Sequence, residues 1–253
     1  MTARLRTFLF AWQFLTAIPL SRSTHDAKPE ELAASMSWYS FVGCILGLLL
    51  ASADLVLARF FSSQVTSLAL MLLLIVFTRG LHQDGLADTV DGLAGGRTAQ
   101  ARLAIMRDSH IGAIGATGLF LALALRFAGL NALPAGEHIA LLIGMPVVGR
   151  WAMVMGAFRA TYARSEGGLA QPFLAHVSWW HLGVATVTAG LVLALLLGPW
   201  PALCCLAIGT VLVRLSTVWF HRKFGGVTGD LLGTTNEISE ILFIVIVPVV
   251  LFR

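Results

Sequence analysis

Residues 64–93 read QVTSLALMLLLIVFTRGLHQDGLADTVDGL. An apolar run ends near Arg79, and within a few residues three carboxylates follow: Asp84, Asp88 and Asp91. On a helix of 3.6 residues per turn, steps of four and three keep all three within about 60° of one another. Three anions on one face repel, and each costs free energy near hydrocarbon. A cation resting on them relieves both penalties, and hard carboxylate oxygens are what Mg²⁺ selects. The competing reading is helix capping, which explains one of the three but not a same-face trio. Gly85 and Gly92, seven apart on an adjacent face, leave room for a neighbouring backbone or a bulky ligand.

The rest of the chain supplies the setting. Of 253 residues, 57% are hydrophobic and only 12% charged, about half the charged share of a soluble protein. Mean hydropathy is +0.83. Several apolar runs of about 20 residues make this an all-α, polytopic integral membrane bundle, a single domain over 1–253. The net charge of +4 comes from Lys and Arg scattered at loop ends, which fits membrane topology and phosphate binding, not nucleic acid. Cys44, Cys204 and Cys205 all fall in apolar runs and read as small core residues, without disulfide or metal spacing.

Residues 4–20 carry Arg4 and Arg6 and break at Pro19, too short to span, so they are expected as an interfacial or re-entrant helix. Pro29, Glu30 and Glu31 resemble a helix start. Seven spans are expected at about 37–58, 64–82, 112–133, 138–158, 178–198, 201–220 and 238–252, with Trp179, Trp180 and Trp200 as interfacial anchors. Polar connections cover 83–111 and the stretch HRKFGGVTGDLLGTTNEISE after the sixth span. Placing 83–111 inside gathers Arg4, Arg6, Arg22, Lys28, Arg97, Arg102, Arg107, Arg159, Arg164, Arg222 and Lys223 on that side. Only Arg59 and Arg253 remain outside, so both motif loops should face the cytoplasm of a bacterial inner membrane.

Of thirteen acidic residues, seven sit in those two loops: Asp84, Asp88, Asp91, Asp108, Asp230, Glu237 and Glu240. In the second loop, Gly225-Gly226-Val227-Thr228-Gly229-Asp230 precedes Asn236-Glu237 and Glu240. Clustered glycines let amides turn toward an anion, and Thr228 adds a hydroxyl; the alternative is a flexible turn with Thr234 or Thr235 as helix cap. Arg97, Arg102 and Arg107 are either phosphate clamps or simple positive-inside charges. Arg150, deep in VVGRWAMVMGAF, needs an anionic partner or an aqueous cavity; Arg126 and Arg214 are weaker cases. His82 is either a base beside the carboxylates or a structural histidine. Together these residues suggest a Mg²⁺-dependent membrane transferase acting on a phosphate or diphosphate. A transporter would be expected to show midplane acids and an internal repeat, and neither is seen.

At this point the motifs resemble a known family. Leu81 to Gly92 (LHQDGLADTVDG) is similar to the signature of the cobalamin synthase family, the adenosylcobinamide-GDP ribazoletransferases. Ile105 to Gly112 (IMRDSHIG) resembles its next block, departing at Arg107, where lysine is expected, and at His110, where arginine is expected. Gly225 to Asp230 with Asn236, Glu237 and Glu240 resembles its C-terminal block. The resemblance implies the last assembly stage of vitamin B12 synthesis, in which α-ribazole or its 5′-phosphate attacks adenosylcobinamide-GDP and GMP leaves. It implies Mg²⁺ as cofactor, held by Asp84, Asp88 and Asp91, with one of these carboxylates or His82 as base. Arg102, Arg107, Asp108, Arg150, Gly226, Thr228, Asp230, Asn236, Glu237 and Glu240 would then bind substrate or a second metal. Oligomeric state stays open. The nearest rivals, the CDP-alcohol phosphotransferases, share the logic of spaced acids but not this spacing, and lack of their Ala-Arg pair separates this chain from them.

Overall fold

The computed structural model describes residues 2–20, 27–133 and 137–251. Apart from one parallel bridge between Tyr162 and Val227, its regular structure is helical. The chain opens with α1 (Ala3–Leu15), whose 13 residues are too few to span. It buries Phe10, Ala11, Trp12 and Leu15 on the bundle, and the Ala17 amide donates to the Phe77 carbonyl at 2.6 Å. Next come α2 (Pro29–Ser35), begun at the expected proline, a 3₁₀ turn (Met36–Trp38) and α3 (Tyr39–Leu57). Then follow α4 (Ser63–Thr78), α5 (Leu81–Gly95), α6 (Ala99–Ile105), α7 (Ala113–Asn131) and α8 (His138–Ala157). The chain finishes with α9 (Gln171–His176), α10 (Trp179–Leu197), α11 (Pro199–Phe224) and α12 (Gly229–Leu251).

Among the described residues six helical stretches are long and apolar enough to cross a membrane, and a seventh forms if α4 and α5, bent by 90°, count together. The polytopic all-α architecture expected from composition is therefore borne out. Trp179 and Trp180 at the start of α10 and Trp200 at the start of α11 are largely exposed, as interfacial anchors should be. Arg22 and Arg253, which entered the charge count, lie outside the described residues, as does the end of the last expected span.

The architecture differs from expectation at both motif loops. Residues 83–111 are not an irregular connection. Arg79 and Gly80 adopt left-handed backbone (φ 56° and 66°), turning the chain through 90°, and α5 then buries Leu86 and Ala87. The second loop is mostly helix as well: α12 begins at Gly229, since Leu231, Leu232, Thr235 and Asn236 all face the interior. Hydropathy placed these boundaries late because the first turns carry polar residues that only tertiary contacts bury.

The hub is α8, buried continuously from Leu141 to Ala157. Gly43 and Gly47 on α3 permit a close contact with it; a Cβ on the first would stand 2.4 Å from the Pro146 carbonyl oxygen and one on the second 2.5 Å from the Ile143 Cα. Two apolar clusters lie along the bundle. One is built around Trp151, Phe220, Phe224 and Leu231, the other around Leu141, Met145, Phe243 and Ile244. Between them on α7, α8 and α12 sits a layer of buried charge: Arg126, Arg150, Glu237 and Glu240. At one end Ser63 donates to Asn131 at 2.8 Å, and His138 lies 3.4 Å from Asp54. The other end holds α5, α6 and the start of α12, so both acidic motifs share one face of the bundle.

Candidate active site

Asp84 and Asp88 are one turn apart on α5, the first exposed and the second half-buried. Opposite them stands Asp230 in the first turn of α12. The two helices meet closely: a Cβ on Gly85 would lie 2.7 Å from the Asp230 carbonyl oxygen and 2.9 Å from its Cα. Below this contact the Thr234 hydroxyl is 2.7 Å from that of Thr89 and 3.0 Å from the Gly85 carbonyl. The charges of Asp84 and Asp230 both bear on Asp88, with Arg164 opposing them. Arg164 donates to Asp230 Oδ2 at 2.9 Å, with the Thr228 hydroxyl 3.3 Å from the same oxygen. Asp84, Asp88 and Asp230 thus share one electrostatic neighbourhood with a single guanidinium, and Asp91 adds a weaker repulsion on Asp88.

Asp91 belongs to a different task. Its two carboxylate oxygens accept the amides of Gly112 and Gly115, each at 2.7 Å, so it closes the N-terminus of α7 from a neighbouring helix. Capping does account for one member of the trio. Among the described residues no three Asp, Glu, His or Cys side chains converge as a ready metal cage.

The glycine-rich segment also differs from expectation. The Val227 amide donates to the Thr161 carbonyl (2.8 Å) and the Ala163 amide to the Val227 carbonyl (3.1 Å). Gly226 fits because a Cβ there would stand 2.5 Å from the Thr161 oxygen. These bonds tie the loop to 161–163 and so deliver Arg164 to Asp230. Thr228, not Thr234 or Thr235, caps α12, accepting the Leu231 amide at 3.3 Å.

Several expected substrate contacts lie in the interior. Arg126 pairs with Glu237 and Glu240, each at 2.7 Å, and Arg150 pairs with Glu240. Gln83 donates to Glu237 at 3.0 Å and Asn236 to Glu240 at 3.2 Å. All of these side chains are buried. Arg150 therefore has the anionic partner that its depth demanded, but the partner is protein. His82 is also buried, its Nε2 without a hydrogen-bond partner, close enough to feel the charges of Arg150 and Arg126. The charges that bear on it are thus those of the interior arginines. Arg102 donates to the Lys223 carbonyl at 2.8 Å, pinning α6 to the end of α11.

On the exposed rim, Arg107 pairs with Glu166. Hydrogen bonds from the side chain and amide of His110 hold the Asp108 carboxyl below its usual range. Glu166 is likewise lowered, by its own amide, then the Ser165 hydroxyl, with Arg107 contributing less. A cleft of about 670 Å³ opens between the end of α5, α6 and the start of α7, with Asp91 at one edge and Asp108 and His110 at another. A second cavity, of about 140 Å³ between α8, α11 and α12, is almost wholly apolar and remote from the carboxylates.

The family model for cobalamin-5-phosphate synthase matches residues 7–248. The chain belongs to the cobalamin-5-phosphate synthase family. Relatives named adenosylcobinamide-GDP ribazoletransferase include one from Syntrophobacter fumaroxidans, 44% identical over 92% of this chain and 94% of its own length. Another, from Geotalea daltonii, is 39% identical over 94% and 95%, and one from Desulfitobacterium hafniense is 36% identical over 95% of each. No solved structure matches. Membership of the cobalamin-5-phosphate synthase family bears out the transferase of cobalamin assembly that the motifs implied. Sequence reasoning missed Arg164 as a site residue; its sole signal was a charge beside the Gly167–Gly168 pair. It gave Arg126 too little weight, although a lone arginine within an apolar run is itself the signal of a buried acid.

Proposed function

We propose that this chain transfers the cobinamide phosphoryl group of adenosylcobinamide-GDP to α-ribazole or its 5′-phosphate, with Mg²⁺ held at Asp84, Asp88 and Asp230. The observation that carries the reading is the meeting of two acidic motifs at Gly85 and Asp230, on one end of a membrane bundle. The donor set fits the ion. Mg²⁺ is ordinarily bound through one or two carboxylates, waters and substrate phosphates, not by an all-protein cage. Asp84, Asp88 and Asp230 repel one another electrostatically with Arg164 alone opposing them, which leaves negative charge that a divalent cation and a diphosphate would complete. When bound, the ion neutralises charge developing on the leaving GMP.

The protein's own groups do the positioning. Arg164 fixes the Asp230 carboxylate, and Arg107 on the rim offers a guanidinium to incoming phosphate. The ribazole 3′-hydroxyl oxygen forms a bond to the cobinamide phosphorus while the bond to the GMP oxygen breaks. The hydroxyl proton passes to Asp88, the half-buried carboxylate of the cluster. The site faces the cytoplasm of the inner membrane, a reading supported by Arg107, Arg159, Arg164, Arg222 and Lys223 at the same end of the bundle.

The test is incubation of membranes carrying the chain with adenosylcobinamide-GDP, α-ribazole and Mg²⁺, following GMP release and the joined product by mass. A parallel reaction supplies CDP-diacylglycerol and an alcohol. Turnover of the first pair alone is expected; turnover of the second alone would overturn the assignment.

A further inference from the structure

We propose that the cleft between α5, α6 and α7 is the seat of the ribazole base, which it recognises by apolar contact. This rests on the function proposed above and assigns its nucleophile's binding site. At about 670 Å³, the cleft lies within the range of roughly 300–1,000 Å³ usual for small-molecule pockets. Its walls are Ala94, Ala104, Ile105, Ile111 and Ile114, with the flat surface of Gly95 and Gly112 between them. Ile111 and Ile114 are more than half exposed, 57% and 56%, just before and within the first turn of α7, so their side chains are open to a ligand entering the cleft. Such walls suit a dimethylbenzimidazole, which is planar, carries two methyl groups and offers almost no hydrogen-bond donors. Guanine, rich in donors and acceptors, would leave its edge unsatisfied against alanine and isoleucine.

Polar groups line the cleft as well, namely Asp91, Asp108 and His110, and a riboside has hydroxyls to meet them. Asp108 and His110 form one rim, where hydroxyls of the sugar can donate to the carboxylate. Asp91 forms another, and its helix continues one turn back to Asp88. A base seated in the cleft therefore directs its ribose toward the carboxylate that takes the proton. The acidic edges also exclude the diphosphate, which is left to the Arg164 side.

Two substitutions and one substrate change test this by steady-state kinetics with both substrates varied. Ala104→Phe places a ring in the cleft from an exposed helix position, and Ile114→Ser strips one wall. Each is expected to raise the KM for α-ribazole about tenfold or more while leaving the KM for adenosylcobinamide-GDP within about twofold. Benzimidazole riboside without its two methyls should show a KM about tenfold higher with the unmodified protein, and much less difference with Ile114→Ser. An unchanged ribazole KM in both variants, or a rise confined to adenosylcobinamide-GDP, overturns the assignment. If the unmodified chain transfers nothing, the functional reading falls. Calorimetric binding of α-ribazole to the detergent-solubilised chain and to Ala104→Phe then decides the cleft, and equal or absent binding in the two sinks it.

Discussion

Gly85 and Asp230 touch through their backbones, and this contact between α5 and α12 is what turns two separate acidic motifs into one cluster. Steric necessity, not flexibility, explains the glycine: its helix is regular, and any side chain would meet a carbonyl oxygen at 2.7 Å. Gly85→Ala should therefore force the helices apart, costing about 1–3 kcal/mol of stability and most of the activity. Thermal unfolding in detergent and transfer assays measure both. Gly183→Ala on α10, where a Cβ meets nothing within 4 Å, is the control and should be neutral or slightly stabilising.

The carboxylates should separate into two classes. Asp84→Asn, Asp88→Asn and Asp230→Asn are each expected to lower kcat about 100-fold or more and to raise the Mg²⁺ concentration needed for half-maximal rate. Asp91→Asn instead weakens the start of α7, by about 1 kcal/mol, with the Mg²⁺ requirement nearly unaltered. A Mg²⁺ titration of all four variants checks the division; an Asp91 variant that behaved like the rest would refute it.

Removal of divalent metal gives a direct readout. Chelation should abolish transfer without unfolding the bundle, because the buried contacts around α8 do not involve the carboxylate mouth. Circular dichroism and activity before and after Mg²⁺ is restored report the two quantities separately.

The buried charges on α7, α8 and α12 should matter to folding and much less to chemistry. Arg126→Met leaves Glu237 and Glu240 short of a partner and is expected to destabilise by about 3–5 kcal/mol. Combining it with Glu237→Gln should recover part of that loss, since the second change removes the stranded charge. A double-mutant cycle on unfolding midpoints in detergent measures the recovery.

Arg164 reaches the site only because the Gly226–Val227 segment docks on residues 161–163. Arg164→Met should raise the KM for adenosylcobinamide-GDP roughly tenfold, losing the charged hydrogen bond that holds Asp230. Gly226→Val should show the same defect from a distance, and kinetics with each substrate varied in turn would reveal it.

Composition and acid placement determined a great deal on their own. A chain so poor in charge must fold as apolar helices in lipid, and acids scarce elsewhere but gathered at two motifs mark where its chemistry sits. The i, i+4 relation of Asp84 and Asp88 was legible because helical periodicity is local. Tertiary structure alone decided how the rest of the acids divide. Asp91 meets the amides of Gly112 and Gly115, Glu237 and Glu240 meet two buried arginines, and of these four Asp230 alone joins the mouth. Spacing along one chain cannot distinguish these fates, because a carboxylate's role depends on which donor another helix brings to it, and that is fixed by packing.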